Sequence, residues 1–101
     1  MAAYLIARVS VRDPVAYSQY SVRTPAIIAQ YGGRLVVRGG QMETLEGEEG
    51  GERVVVVEFP SMEAARAFYH SAEYQEAKAL RTPVSDANFI IVQGVPVGSE
   101  K

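Results

Sequence analysis

The chain of 101 residues is 48% hydrophobic and 22% charged with a formal net charge of −2, which suits one folded domain. It leaves no electrostatic basis for nucleic-acid binding, which rests on many Lys and Arg side chains neutralising phosphates. Cysteine is absent, so disulfide and thiolate chemistry are excluded.

The N-terminus, Met1-Ala2-Ala3-Tyr4-Leu5-Ile6-Ala7-Arg8, lacks the basic start and long apolar run of a signal peptide. No segment is long and apolar enough to span a membrane, and a cytoplasmic location is the expectation. Residues 4–11 are rich in aliphatic and β-branched side chains and read as a first strand. Asp13-Pro14 then opens a helix: the carboxylate caps orphan amides, and proline at the first helical position gives up no bond. Tyr17, Tyr20, Thr24, Ile27 and Tyr31 recur at steps of three and four and form its apolar face. Pro25 lacks an amide and its ring crowds the preceding turn, so a break is expected near residues 21–24. Gly32 suits a left-handed helix terminator.

Residues 34–38 form a second strand, with Gly39-Gly40 expected as a bulge or bend and pairing resumed over residues 42–45. The acidic segment Glu46-Gly47-Glu48-Glu49-Gly50-Gly51-Glu52 reads as a solvated hairpin tip, without the Asp/Asn spacing of a calcium loop. Residues 53–59 are an unambiguous third strand. Ser61 caps a second helix with Ala64, Ala65 and Phe68 inward, and Ser71 caps a further segment with Tyr74, Ala77 and Leu80 inward. Thr82-Pro83 ends it, residues 88–92 make a fourth strand, and residues 96–101 form a flexible tail after a single domain over residues 1–95. The order is strand, helix, strand, strand, helix, strand, which gives a ferredoxin-like α+β fold: a four-stranded antiparallel sheet with two helices on one face. The strands are continuously apolar, whereas a sheet wetted on one face alternates. The uncovered face is therefore expected to meet a second copy, giving a homodimer with a barrel-like interior.

Several stretches together carry a resemblance: Tyr17 with Tyr20, Tyr31-Gly32-Gly33 leading to Val37-Arg38-Gly39-Gly40, Glu58-Phe59-Pro60-Ser61 with Ala64-Ala65, and Ser71-Ala72-Glu73-Tyr74-Gln75. The chain resembles the domain-of-unknown-function 1330 family within the dimeric α+β barrel superfamily. The resemblance implies a ferredoxin-like fold, a dimer of facing sheets and a cleft between sheet and helices, but no activity. More distant members include cofactor-free monooxygenases, lactone isomerases and haem-degrading enzymes. The last combine a second-helix histidine with a first-strand asparagine and a tryptophan; this chain offers His70 but neither of the others.

Arg38 is the leading binding candidate, since a guanidinium at a strand end grips a carboxylate with parallel bonds and Gly39-Gly40 lets a ligand approach the backbone. Its alternative role is an ion pair with a neighbouring glutamate. His70, the single histidine, is the catalytic candidate as general acid or base, or else a helix-end residue capping carbonyls. Tyr17, Tyr20 and Tyr74 are candidates to line a pocket, with Ser71 beside them, or to be plain core. Arg81 joins an anion pocket or serves as a surface charge complementing the helix dipole. One histidine, no cysteine and scattered carboxylates supply no zinc site, and no metal or cofactor is expected. Three readings stand: a small dimeric protein binding an anionic or carbonyl-bearing molecule in its sheet-helix cleft, a non-catalytic interaction or stress-associated module, and a cofactor-free oxygenase or isomerase.

Overall fold

The computed structural model describes residues 1–48, 50 and 52–96. Four strands, β1 (Ala3–Val11), β2 (Arg34–Arg38), β3 (Arg53–Phe59) and β4 (Ser85–Gln93), form one antiparallel sheet in the order β2-β3-β1-β4. Along β1, Ala3, Leu5, Ala7 and Val9 are buried while Tyr4, Ile6, Arg8 and Ser10 turn the other way, as the pleat requires. Register carries that division across the sheet. Leu5 pairs with Val57 and Ile91, and Ala7 with Val55 and Phe89, on the helix side; Ile6 pairs with Val56 and Ile90 on the outer side.

Each crossover is a helix broken in two. The first runs as α1 (Pro14–Ser21) and α2 (Thr24–Gln30), with Asp13 accepting the Ala16 amide at 3.1 Å. The break falls where Pro25 was expected to place it. Gly32 ends α2 at φ +79, and Gly33 then passes so close to the core that a Cβ would lie 2.6 Å from the Phe59 ring. Only glycine allows both the left-handed turn and the close approach. The second crossover runs as α3 (Met62–His70) and α4 (Ala72–Arg81). Ser71 makes that corner: its hydroxyl donates to the Phe68 carbonyl at 2.7 Å and accepts the Tyr74 amide at 3.0 Å. Helices and sheet enclose a core of Leu5, Tyr20, Ile28, Phe59, Phe68 and Tyr74, among others.

The structure departs from expectation in four places. Thr82-Pro83 continues as a 3-10 turn, Thr82–Val84, before the chain turns away. β4 starts at Ser85, because pairing with the end of β1 (Val11 with Ser85, Ser10 with Asp86) holds polar residues extended that have little strand preference of their own. The irregularity in β2 lies between Leu35 and Val37, leaving Val36 as the extra residue, so of the two expectations for Gly39-Gly40 the bulge is not met while the bend is, with Gly39 at φ +65. Residues 42–45 are not a strand. Within the acidic segment Glu49 and Gly51 lie outside the described residues, as do residues 97–101 of the expected tail.

The molecule is only 17 Å thick along its shortest axis, room for two layers. The outer sheet face therefore has no helix on it among the described residues. Ile90 is 48% exposed, Val92 44% and Val37 38%, and they surround half-buried Tyr4, Ile6, Val54 and Val56.

Candidate functional site

A cavity opens on the helix side of the sheet, over the middle of β1. Ala7 stands between Leu5 and Val9 there, and its short side chain leaves space that larger neighbours fill elsewhere. Leu35, Val55, Val57, Phe68, Phe89 and Ile28 complete the apolar walls, while Tyr17, Tyr20, Ser21, Thr24, Arg38 and Arg53 bring the polar atoms. The volume is about 40 Å³, the space of roughly three waters at about 10–15 Å³ each. No carboxylate or histidine lines it among the described residues. Apart from Ser21, Thr24 and the two phenols, which both donate and accept, its polar wall consists of guanidinium donors.

Arg38 closes one side of this space. Its Nη2 donates to the Ser21 carbonyl at 2.8 Å, and that carbonyl is free because Pro25, four residues on, has no amide to give it. The Thr24 hydroxyl adds a weaker bond to the same oxygen at 3.3 Å. A helix break written into the sequence by one proline thus creates the acceptor that ties β2 to the end of α1. Neither expected role of Arg38 describes this: among the described residues it has no glutamate partner, and one arm of its fork is already taken.

Arg53 was not singled out by the sequence, and it is the most telling residue of the wall. It pairs with Val9 at the start of β3 and shares the helix-side parity of Val55, Val57 and Phe59. Its Nε is buried without a hydrogen-bond partner, alone in that respect among the described side chains. The guanidinium lies 5.6 Å from the centre of the Tyr17 ring, within cation–π range. Gly39, at φ +65, makes room for it, since a Cβ there would stand 2.9 Å from Nε. Gly39 therefore serves Arg53; Gly40 has nothing within 4 Å, and neither glycine lines the cavity. The signal was legible as a charged residue at an apolar parity.

Behind Tyr20 runs a buried polar chain. The Tyr20 and Tyr74 hydroxyls lie 2.8 Å apart, and Arg81 donates to the Tyr74 oxygen from Nε at 3.3 Å and Nη2 at 3.2 Å. Arg81 is 5% exposed, with its guanidinium carbon 4.3 Å from the centre of the Phe89 ring and 5.5 Å from that of Tyr20. It is not the surface charge that its place at a helix end suggests. Burial works against its charge, but the phenols of Tyr74 and Tyr20 outweigh that and hold it above the ordinary guanidinium range. No carboxylate lies within 4 Å of it among the described residues.

His70 lies elsewhere. It is exposed and edges a groove of about 270 Å³ with Arg66, Tyr69, Ile90 and Ile91, packed edge-on to Tyr69 at 5.2 Å. Leu5 and Phe89 line both spaces and so form the partition between them. The structure thus brings Arg38, Tyr17 and Tyr20 to one cavity with Arg53, sets Tyr74 and Arg81 behind Tyr20, spends Ser71 on the helix corner, and leaves His70 across the partition. No cluster of three His, Asp or Glu side chains among the described residues is arranged to hold a metal ion.

Burial raises the ionisation of Tyr20 far above the phenol value of 10.0, with the Tyr74 phenol adding to it and Arg81 opposing. Burial also raises Tyr17, against the opposing charge of Arg53. Both phenols are therefore hydrogen-bond donors throughout the neutral range. A raised folded-state value means that stability is intact below pH 10.0 and falls as pH climbs beyond it, by up to about 1.4 kcal/mol per pH unit for each phenol. Denaturant melts at increasing pH should show that loss, and Tyr20→Phe should make it shallower. An unchanged slope in the variant would remove Tyr20 from the account.

The fold and this cleft define a class: a small ferredoxin-like α+β protein whose sheet carries a helix-covered cavity on one side. Residues 2–95 match the family model described as Domain of unknown function (DUF1330), and the chain belongs to that family. No curated protein matches the chain. Among solved structures it is similar to RPA0582, a protein of unknown function from Rhodopseudomonas palustris, with 21% identity over 94% of this chain and 83% of that one at a TM-score of 0.75. It is also similar to SnoaB, a cofactor-independent oxygenase from Streptomyces nogalater, with 15% identity over 98% of each chain and a TM-score of 0.69. Rv0793 from Mycobacterium tuberculosis follows at 20% identity, 98% and 100% coverage and a TM-score of 0.61. At these identities the likeness is one of fold.

Proposed function

We propose that the protein is a homodimer, joined through its outer sheet faces, that binds a small anionic or carbonyl-bearing organic molecule in the Arg53 cavity. The observation that carries this reading is the polar wall of the cavity: Arg38 and Arg53 bring guanidinium donors to an otherwise apolar space that no carboxylate among the described residues lines, so an acceptor oxygen of a ligand is the group it suits. Arg53 and Tyr20 hold the ligand, Tyr17 packs it, and Arg38 closes over it. A molecule too large for the cavity as it stands enters by displacing the Arg38 bond to Ser21. Tyr74 and Arg81 support Tyr20 from behind, and His70 meets the ligand only where it extends past Phe89.

Native mass spectrometry of freshly purified protein tests both halves together. The expected spectrum is a dimer with a reproducible small-molecule adduct that Arg53→Met loses and wild type retains. An adduct equally retained by Arg53→Met would move the ligand elsewhere. A clean wild-type spectrum, with no binding in a carboxylate panel, would favour the interaction-module reading, in which the polar residues are structural.

The fold likeness to SnoaB supports a second reading, a cofactor-free oxygenase or isomerase. Turnover of an electron-rich aromatic or a lactone without added metal, lost on changing His70, is its signature. A full panel without turnover would refute it.

A further inference from the structure

The cavity's hydrogen-bond polarity is set from behind, by a residue that does not line it. A guanidinium has donors only, so the Tyr74 oxygen must accept from Arg81. Tyr74 is 0% exposed, and its hydroxyl has one other neighbour, the Tyr20 hydroxyl at 2.8 Å. For the Tyr74 hydrogen to be satisfied, it must point at Tyr20. Tyr20 then accepts from Tyr74, and its own hydrogen has no protein acceptor among the described residues. Tyr20 lines the cavity, so that hydrogen is available to an occupant.

We propose that Arg81 is a positioning residue that, through Tyr74, fixes the Tyr20 hydroxyl as a donor into the cavity, so that the site selects a ligand presenting an acceptor-only oxygen group, a carboxylate or enolate, over one presenting N–H or O–H. Arg53 lines the same space and brings guanidinium donors to it. An amide placed there aims hydrogens at donors; a carboxylate satisfies both. This inference rests on the cleft being a ligand site.

The test uses two matched pairs of probes, acetate with acetamide and benzoate with benzamide, titrated into full-length protein at neutral pH and read by NMR at the Arg53 Nε–H signal. Wild type should bind each carboxylate at least about tenfold more tightly than its amide, a difference of about 1.4 kcal/mol. Arg81→Met frees Tyr74 and Tyr20 to reverse their bond, turning a lone pair toward the cavity. The carboxylate-to-amide ratio should then fall about tenfold, and a purely structural role would instead weaken both members of a pair alike.

Tyr20→Phe should lower the ratio by itself, and adding Arg81→Met to Tyr20→Phe should change it little further, since the route is already cut. A ratio that falls just as much when Arg81 is changed in the Tyr20→Phe background would show Arg81 acting as a distant charge, overturning the relay while leaving the binding site intact. Failure of all four probes to move the Arg53 signal in wild type would overturn the site and the relay together.

Discussion

An Ile6→Glu substitution should convert the protein from a dimer to a monomer at micromolar concentration without unfolding it. Ile6 sits at the centre of the outer face, paired with Val56 on one side and Ile90 on the other, and all three point away from the helices. In the proposed dimer this patch meets the same patch of a second copy, because a two-fold interface is self-complementary and each substitution appears twice. Two carboxylates brought into a dry apolar centre must either lose their hydration or stay apart, and the effective cost is several kcal/mol per ion. Dissociation constants should therefore rise by about a thousandfold or more, equivalent to roughly 4 kcal/mol. Circular dichroism should stay native, since Ile6 contributes to the outer face and not to the helix-side core. Val15→Glu provides the charge control: Val15 is 79% exposed on α1, on the helix side, and its replacement should leave the dimer intact. Sedimentation velocity decides the matter. A monomeric wild type would refute the facing-sheet dimer, and a dimeric Ile6→Glu would place the interface elsewhere.

The sequence was most informative where local chemistry and global fold agree. The Asp13-Pro14 start, the Pro25 break, the Gly32 stop and the Ser71 corner each follow from one residue's hydrogen-bonding capacity, and each is found in place. The β3 run of valines announced a strand, but not which valines face the helices, because both faces of that strand are apolar. Only the register with β1 separates Val55 and Val57 from Val54 and Val56. Val36 as the bulged residue was illegible for the same reason, lying inside three equivalent aliphatics.

The site was half legible. Arg53 occupies a position whose parity with Val55, Val57 and Phe59 marks it as facing inward, and Arg81 follows Tyr74 and Ala77 at helical spacing on their buried stripe. Both signals are charges on apolar faces; Arg81 was named as an anion-pocket candidate beside its helix-dipole role, whereas Arg53 was not named. By contrast, nothing local separates His70 from Arg38. The partition between their two spaces is built by Leu5 and Phe89, from strands β1 and β4 that meet only in the folded sheet.

The buried chain behind Tyr20 leads to an inversion of the usual expectation for core polar residues: removing the charge should be tolerated, while removing its acceptor should not. Arg81 is buried without a carboxylate partner among the described residues, held by a phenol and by two aromatic faces. Removing the charge relieves its desolvation but also gives up the phenol contacts that outweigh it, so the two effects oppose one another. Arg81→Met should accordingly cost the fold less than Tyr74→Phe does, while lowering carboxylate binding. Tyr74→Phe removes a single oxygen, yet it strands the guanidinium without the acceptor that Nε and Nη2 share, and it should cost about 2–3 kcal/mol. The double variant should recover most of that loss, since the phenol matters for stability chiefly through the charge it receives, and the resulting coupling is measurable in a double-mutant cycle. If Arg81→Met unfolded the protein while Tyr74→Phe left it intact, the guanidinium would be a packing element rather than a charge held by the Tyr74 oxygen. The expected order places Arg81 among the residues that act on the cavity through another side chain, its charge held by Tyr74 whether or not the cavity is occupied.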